Sequence, residues 1–177
     1  DSNAIILDGQ TSISKEVAHE IAKEEGNEIY LNGLTSLSPE AAQELAAHKG
    51  YLGLNGLNFI SDETAEQLAK LGSKGILEMR RLVELSDRSA KALGDSNINN
   101  LTLSSIACIS DQGILYLKRY INYLPERIRY RNSTDKFITN YTEESGWYTW
   151  SPSESKDLDS IDCNNRESYK WYIEKIN

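Results

Sequence analysis

The chain has 177 residues, 39% of them hydrophobic and 26% charged, with a net charge of −8 at neutral pH. That is enough for one ordinary core, or for a repeat stack with a small attachment. Acidity runs through both halves (17 acidic against 11 basic residues in 1–122, 10 against 8 in 123–177), which argues against non-specific binding to nucleic acid or to an anionic membrane. No apolar run approaches the roughly 20 residues of a membrane-spanning helix.

Taken in chain order, residues 1–122 repeat one unit five times. The anchors are Ser14, Ser38, Ser61, Ser86 and Ser110, spaced 24, 23, 25 and 24 residues apart. A fixed period in the 20s is the signature of stacked supersecondary units. Nine and seven residues before the serines stand Ile5/Leu7, Ile29/Leu31, Leu52/Leu54, Leu77/Met79 and Leu101/Leu103. That alternation predicts a short strand with one buried face. Gln10, Leu34, Leu57, Leu82 and Ile106, four residues before each serine, continue the inward row through the turn.

Each serine reads as a helix N-cap whose hydroxyl accepts a first-turn amide. Pro39 follows Ser38 where a missing N–H costs nothing. Glu16, Glu40 and Glu63 stand in first turns, where the helix dipole favours an anion. Apolar residues then recur at helical spacing: Ala18/Ile21, Ala42/Leu45, Ala65/Leu68, Ala90/Leu93 and Ile114/Leu117. Gly26 and Gly50 stand where a left-handed C-cap is expected. The predicted fold is therefore α/β, with a parallel sheet on one side and helices on the other.

The last copy, from Leu101 to Leu117 with Ile109, Ser110, Asp111 and Gly113 inside it, resembles a leucine-rich repeat of the cysteine-containing class. That class is known from the substrate-receptor part of F-box proteins. The likeness covers about residues 4–122, and the wording around Leu37–Ala42 is closer to bacterial relatives of the class. The class cysteine is replaced by Ile106 here, and Cys108 lies two positions away. The resemblance implies a solenoid with strands on a concave side and helices on a convex side, used to bind other proteins. It names no particular partner, because fold does not imply function.

On such a concave face the outward strand positions would be Ile6, Tyr30, Gly53, Glu78 and Thr102, then Asp8, Asn32, Asn55, Arg80 and Ser104, then Gly9, Gly33, Gly56, Arg81 and Ser105. The first three units are small and polar there, and the fourth substitutes Arg80 and Arg81 beside Glu78. Arginines form bidentate contacts with carboxylates, so this pair would anchor an acidic partner. The alternative is that they pair with Glu78 or Glu84 on a solvated surface. Asn32 and Asn55 have two readings as well: a ligand-binding amide ladder, or Asn-Gly turns chosen for positive φ.

Beyond residue 122 the composition changes. Ten of the fifteen aromatic residues, and all three tryptophans, lie in residues 123–177. Arg127–Arg131, Phe137–Thr142 and Trp147–Trp150 alternate like strands, Glu144–Gly146 reads as a hairpin turn, and Ser168–Ile176 as a terminal helix. This segment is expected either to cap the exposed end of the stack or to bind a partner, Trp147 and Trp150 being its candidate contacts. The two roles are compatible.

No specific chemistry emerges. His19 and His48 read as solvated helix-face residues, no nucleophile stands beside a histidine in the second region, and no phosphate loop, metal spacing or cofactor motif occurs. Cys108 and Cys163 have no metal spacing, and their pairing is open. The expected function is a non-catalytic protein-interaction scaffold with a small concave surface built on Tyr30, Asn32, Asn55, Glu78, Arg80 and Arg81. A carbohydrate-binding or surface-display module using the C-terminal aromatics is the alternative, with a glycan as its ligand. Ile5–Leu7 is too short for a signal peptide; a leader removed earlier leaves secretion or cell-surface display open.

Overall fold

A computed structural model describes residues 4–24, 28–123, 130–131, 163 and 165. The chain is α/β. Strands β1 (Ala4–Ile6), β2 (Glu28–Tyr30), β3 (Tyr51–Gly53), β4 (Ile76–Glu78) and β5 (Asn100–Thr102) form one sheet in chain order. Every neighbouring pair is parallel and in repeat register, with Ile5 beside Ile29, Ile29 beside Leu52, Leu52 beside Leu77 and Leu77 beside Leu101. Helices α1 (Lys15–Ala22), α2 (Pro39–Leu45), α3 (Asp62–Leu68), α4 (Asp87–Gly94) and α5 (Asp111–Tyr116) each pack on the next. A 3₁₀ turn follows α3 at Ala69–Leu71 and another follows α5 at Lys118–Tyr123.

The anchoring serines are the helix caps. Each hydroxyl accepts from the amide three residues on, at 3.3 Å in the first unit (Val17), 3.2 Å in the second (Ala41), 3.1 Å in the third (Thr64), 3.0 Å in the fourth (Ser89) and 2.9 Å in the fifth (Gly113). Such a cap contributes about 1 kcal/mol. The alternating strand residues, Ile29/Leu31 through Leu101/Leu103, are buried and share one core with Ala42, Leu45, Ala65, Leu68, Ala90 and Leu93 of the helices. The core therefore lies between sheet and helix layer. Gln10, expected to point inward, is exposed, because the first unit has a neighbour on one side only.

A further inward position stands ten residues after each of the last four serines. It is occupied by His48, Leu71, Ser96 and Tyr120, all buried, with His48 only 1% exposed. This corrects the reading of His48 as a solvated helix-face residue. Helix α2 ends at Leu45, and His48 sits in the turn behind it, its amide donating to the Leu45 carbonyl at 3.0 Å. Two of these residues bond within the fold: Ser96 Oγ donates to the Leu93 carbonyl at 2.6 Å, and the Tyr120 hydroxyl to that of Ile98 at 2.8 Å. Gly50 does not cap α2 either, since Ala46 is the C-cap and lies four residues earlier. Gly26 falls outside the described residues. Positive φ is used at Gly72 instead, at 83° after the first 3₁₀ turn.

The Asp8, Asn32 and Asn55 side chains have a structural task that their Asn-Gly spelling does not suggest. Asp8 Oδ1 accepts from the Asn32 amide at 2.8 Å, Asn32 Oδ1 from the Asn55 amide at 3.2 Å, and Asn55 Oδ1 from the Arg80 amide at 2.9 Å. Each of the first three units thus satisfies the next unit's backbone where its strand turns away. The expected positive φ is not what places Gly33 and Gly56 after Asn32 and Asn55; they are there for room. A Cβ on Gly33 would overlap the carbonyl of Asp8, and one on Gly56 that of Asn32. A second set of bonds links the helix ends: Asp62 accepts from Ser89 Oγ at 2.7 Å and from the cap hydroxyl of Ser86, and Asp87 accepts from that of Ser110.

Within the fifth unit, β6 (Ile109–Ser110) pairs in parallel with β7 (Tyr130–Arg131), so the end of the strand expected at 127–131 is present. The strands expected at 137–142 and 147–150 and the helix at 168–176 lie outside the described residues. Cys108 and Cys163 form a disulfide with Cα atoms 5.6 Å apart, tying residue 163 to the fifth unit. The bond closes a loop of 55 residues of separation, for which chain-entropy arguments give about 4 kcal/mol. Reduction, or the Cys108→Ser and Cys163→Ser pair, is expected to lower unfolding free energy by about that amount in urea titration. Gly33→Ala is expected to cost about 2 kcal/mol in the same assay, through forced separation of two backbones.

Candidate binding surface on the open face of the sheet

On the sheet face away from the helices, strand side chains alternate with the buried leucines. The expected residues Tyr30 and Glu78 stand in this layer, and Arg80 stands two residues beyond the end of β4. Tyr51, one pleat earlier on β3, belongs with them although sequence reasoning passed it over. Gly53, in line with Tyr30, has no side chain; a Cβ there would stand 3.0 Å from Asn32 Oδ1 and 3.1 Å from Tyr51 Cε1. The Tyr51 ring lies in that space and meets Tyr30 with ring centroids 4.9 Å apart at 41°. An aromatic followed two residues later by the single glycine of its row was the available signal.

Hydrogen bonds hold the cluster. The Tyr30 hydroxyl donates to Glu28 at 2.7 Å and the Tyr51 hydroxyl to Glu78 Oε2 at 2.7 Å. Arg80 grips the same carboxylate as a fork, Nε to Oε2 and Nη2 to Oε1, both at 2.9 Å. The Glu78 side chain is 14% exposed while that of Arg80 is 57% exposed, so the carboxylate is the half-buried hub and the guanidinium its lid. Hydrogen bonding from Arg80 holds the Glu78 carboxyl below its ordinary value, against the opposing effect of burial, and Tyr51 adds to the lowering. Burial first, and then the bond to Glu78, push the Tyr51 phenol well above its usual range.

Of the expected contact residues, the fold brings together Tyr30, Glu78 and Arg80. Arg80 is paired with Glu78, so the two arginines are not an unmatched patch. Asn32 and Asn55 spend their acceptors on the neighbouring backbone. Arg81 lies in the turn after Arg80, half-buried, with its carbonyl accepting from Asn58 Nδ2 at 3.2 Å. Gly33 and Gly56, placed on the open face by their spacing, are instead pressed against the preceding unit. Trp147 and Trp150 lie outside the described residues.

On the helix side, His19 Nδ1 is 2.8 Å from Glu44 Oε2 across α1 and α2, and this bond lowers the Glu44 pKa. A groove of about 330 Å³ beside it is lined by His19, Lys23, Glu44 and Lys49. Among the described residues no group of three His, Cys, Asp or Glu side chains is placed to hold a metal ion. No helix of the described residues is long and apolar enough to cross a membrane.

Compared with protein-family models, with curated proteins and with solved structures, the chain matches none of them.

A carboxyl whose folded pKa is depressed contributes stability that is present above its unfolded pKa and lost as pH falls through the folded value. For Glu78 that loss lies below the ordinary value of 4.5. Glu78→Gln is therefore expected to flatten the acid side of the stability profile, read as urea midpoints from pH 6 to pH 3, with the larger cost of the substitution at pH 6. An equal cost at both ends would show that the Arg80 fork does not form.

Proposed function

We propose that this chain is a leucine-rich-repeat solenoid acting as a non-catalytic scaffold for protein binding, with its contact surface centred on Tyr30, Tyr51, Glu78 and Arg80. The observation that carries the reading is the Tyr30–Tyr51–Glu78–Arg80 cluster standing on the open face of the sheet. Tyrosine and arginine dominate the energetics of protein interfaces. Here both are already held, Tyr51 and Arg80 by one carboxylate, so less side-chain freedom is lost when a partner arrives. Arg80 keeps over half its surface open while forked to Glu78, which leaves donors for a second acceptor.

Five strands about 4.8 Å apart span some 20–25 Å. That suits one interface of about 800 Å² per partner and does not suit wrapping a large protein. In this reading residues 1–122 are the scaffold and 123–177 its C-terminal cap, held to the fifth unit by the Cys108–Cys163 bond. The disulfide favours an oxidising setting, the cell surface or beyond it.

The test is affinity capture from the native host, with bound proteins identified by mass spectrometry. Tyr51→Ala and the pair Arg80→Glu with Arg81→Glu are expected to lower recovery of the specific partner at least tenfold. Lys70→Glu, outside the proposed contact surface, should leave recovery unchanged. Each variant is checked for an unaltered circular dichroism spectrum and melting transition. Equal recovery by all variants would remove the open face as the binding surface.

A further inference from the structure

The interfaces between successive units follow one recipe, and the N-terminal face of the first unit carries half of it. In each interface the amide of the residue seven before the serine donates across to the next strand: Leu7 to the Tyr30 carbonyl at 2.9 Å, Leu31 to Gly53 at 2.9 Å, Leu54 to Glu78 at 2.8 Å and Met79 to Thr102 at 3.0 Å. At the first three interfaces the ladder side chain of the earlier unit also takes the amide of the later one, Asp8 from Asn32, Asn32 from Asn55 and Asn55 from Arg80. At the first two interfaces a glycine on the later unit admits the earlier unit's backbone, Gly33 against Asp8 and Gly56 against Asn32. Gly9 holds the same place in the first unit, and a Cβ there would meet nothing within 4 Å. The socket is present without its occupant.

The surroundings agree. β1 is an edge of the sheet. Its Ile6 carbonyl and the Asp8 amide correspond to the Tyr30 carbonyl and Asn32 amide, which are the atoms a preceding unit bonds. Ile5, Leu7 and Ile21 are only partly buried, although their counterparts Ile29, Leu31 and Leu45 are fully covered. Ile6 is 65% exposed and Val17 44% exposed.

We propose that the N-terminal face of the first unit is a docking surface for one more strand-turn-helix unit of the same kind, carried by the same polypeptide ahead of β1. This unit lies parallel to β1, covers Ile5, Leu7 and Ile21, donates a strand amide to the Ile6 carbonyl and presents an Asn or Asp acceptor to the Asp8 amide, with its backbone seated on Gly9. The occupant is in cis because each parallel neighbour in this sheet is delivered by its own crossover helix, 23–25 residues away.

The test fuses a copy of residues 28–50 directly ahead of Ala4, which holds the place that Tyr51 holds after residue 50 in the chain itself. Hydrogen exchange of the Asp8 amide and the melting temperature are the readouts. The extended chain is expected to melt higher than the 177-residue chain and to slow Asp8 exchange at least a hundredfold. Gly9→Ala is expected to abolish both gains while leaving the melting of the 177-residue chain unchanged. Intact protein from the native host should protect Asp8 likewise. Free Asp8 exchange in either the extended or the native protein overturns the proposal, as does indifference of the extended chain to Gly9→Ala. Concentration-dependent Asp8 protection in the 177-residue chain would assign the face to a second copy and overturn it equally.

Discussion

Where each strand of the sheet ends and the chain turns toward its helix, one backbone amide leaves the regular ladder and needs an acceptor. In the second, third and fourth units that acceptor is a side chain of the unit before: Asp8, Asn32 and Asn55 in turn. This bond sets the rest. Its short reach forces two backbones together, so the following residue is glycine in the second and third units. It also holds the strands in register, which places Ile29, Leu52, Leu77 and Leu101 in line and lets the leucine rows close into one core. At the other end of each unit the serine caps, and Asp62 and Asp87 reaching to the next cap, repeat the arrangement on the helix side.

The candidate surface arises where that ladder stops. Asn55 is its last rung, because the fourth unit puts Arg80 at the ladder position and a guanidinium has no acceptor to offer. Freed from the ladder, the Arg80 side chain turns back along its own strand to Glu78. The Glu78 carboxylate also receives Tyr51, which can lean there because Gly53 leaves the intervening place empty. A break in the structural repeat thereby becomes an ordered cluster of aromatic and charged groups. The Glu78 and Arg80 charges balance each other, so the cluster offers shape and fixed donors more than long-range attraction.

The caps and the core were legible in the sequence because both depend on local spacing: a serine three residues from the amide it accepts, and apolar residues at periods of 2 and 3.6. The ladder residues were visible but were assigned the wrong reason. Asn-Gly spells a positive-φ turn and a close backbone approach in the same two letters, and only the neighbour 23 or 24 residues away separates them. The inward position shared by His48, Leu71, Ser96 and Tyr120 was not legible, since four unrelated residue types show no pattern. What they share is a place in the turn after the helix. Tyr51 was missed because its partner Glu78 is 27 residues distant.

By itself the sequence determined the number of units, the identity of their caps and which strand residues face the core, because each of these follows from periodicity and from contacts within a few residues. Only the tertiary structure decided that Arg80 is forked to Glu78, that Tyr30 and Tyr51 meet, that Cys108 bonds Cys163 and that Gly9 is a socket without an occupant. Each of these depends on which atoms of separate units lie within a few ångströms of one another, and a repeat period specifies the step between units without specifying what their side chains do across it.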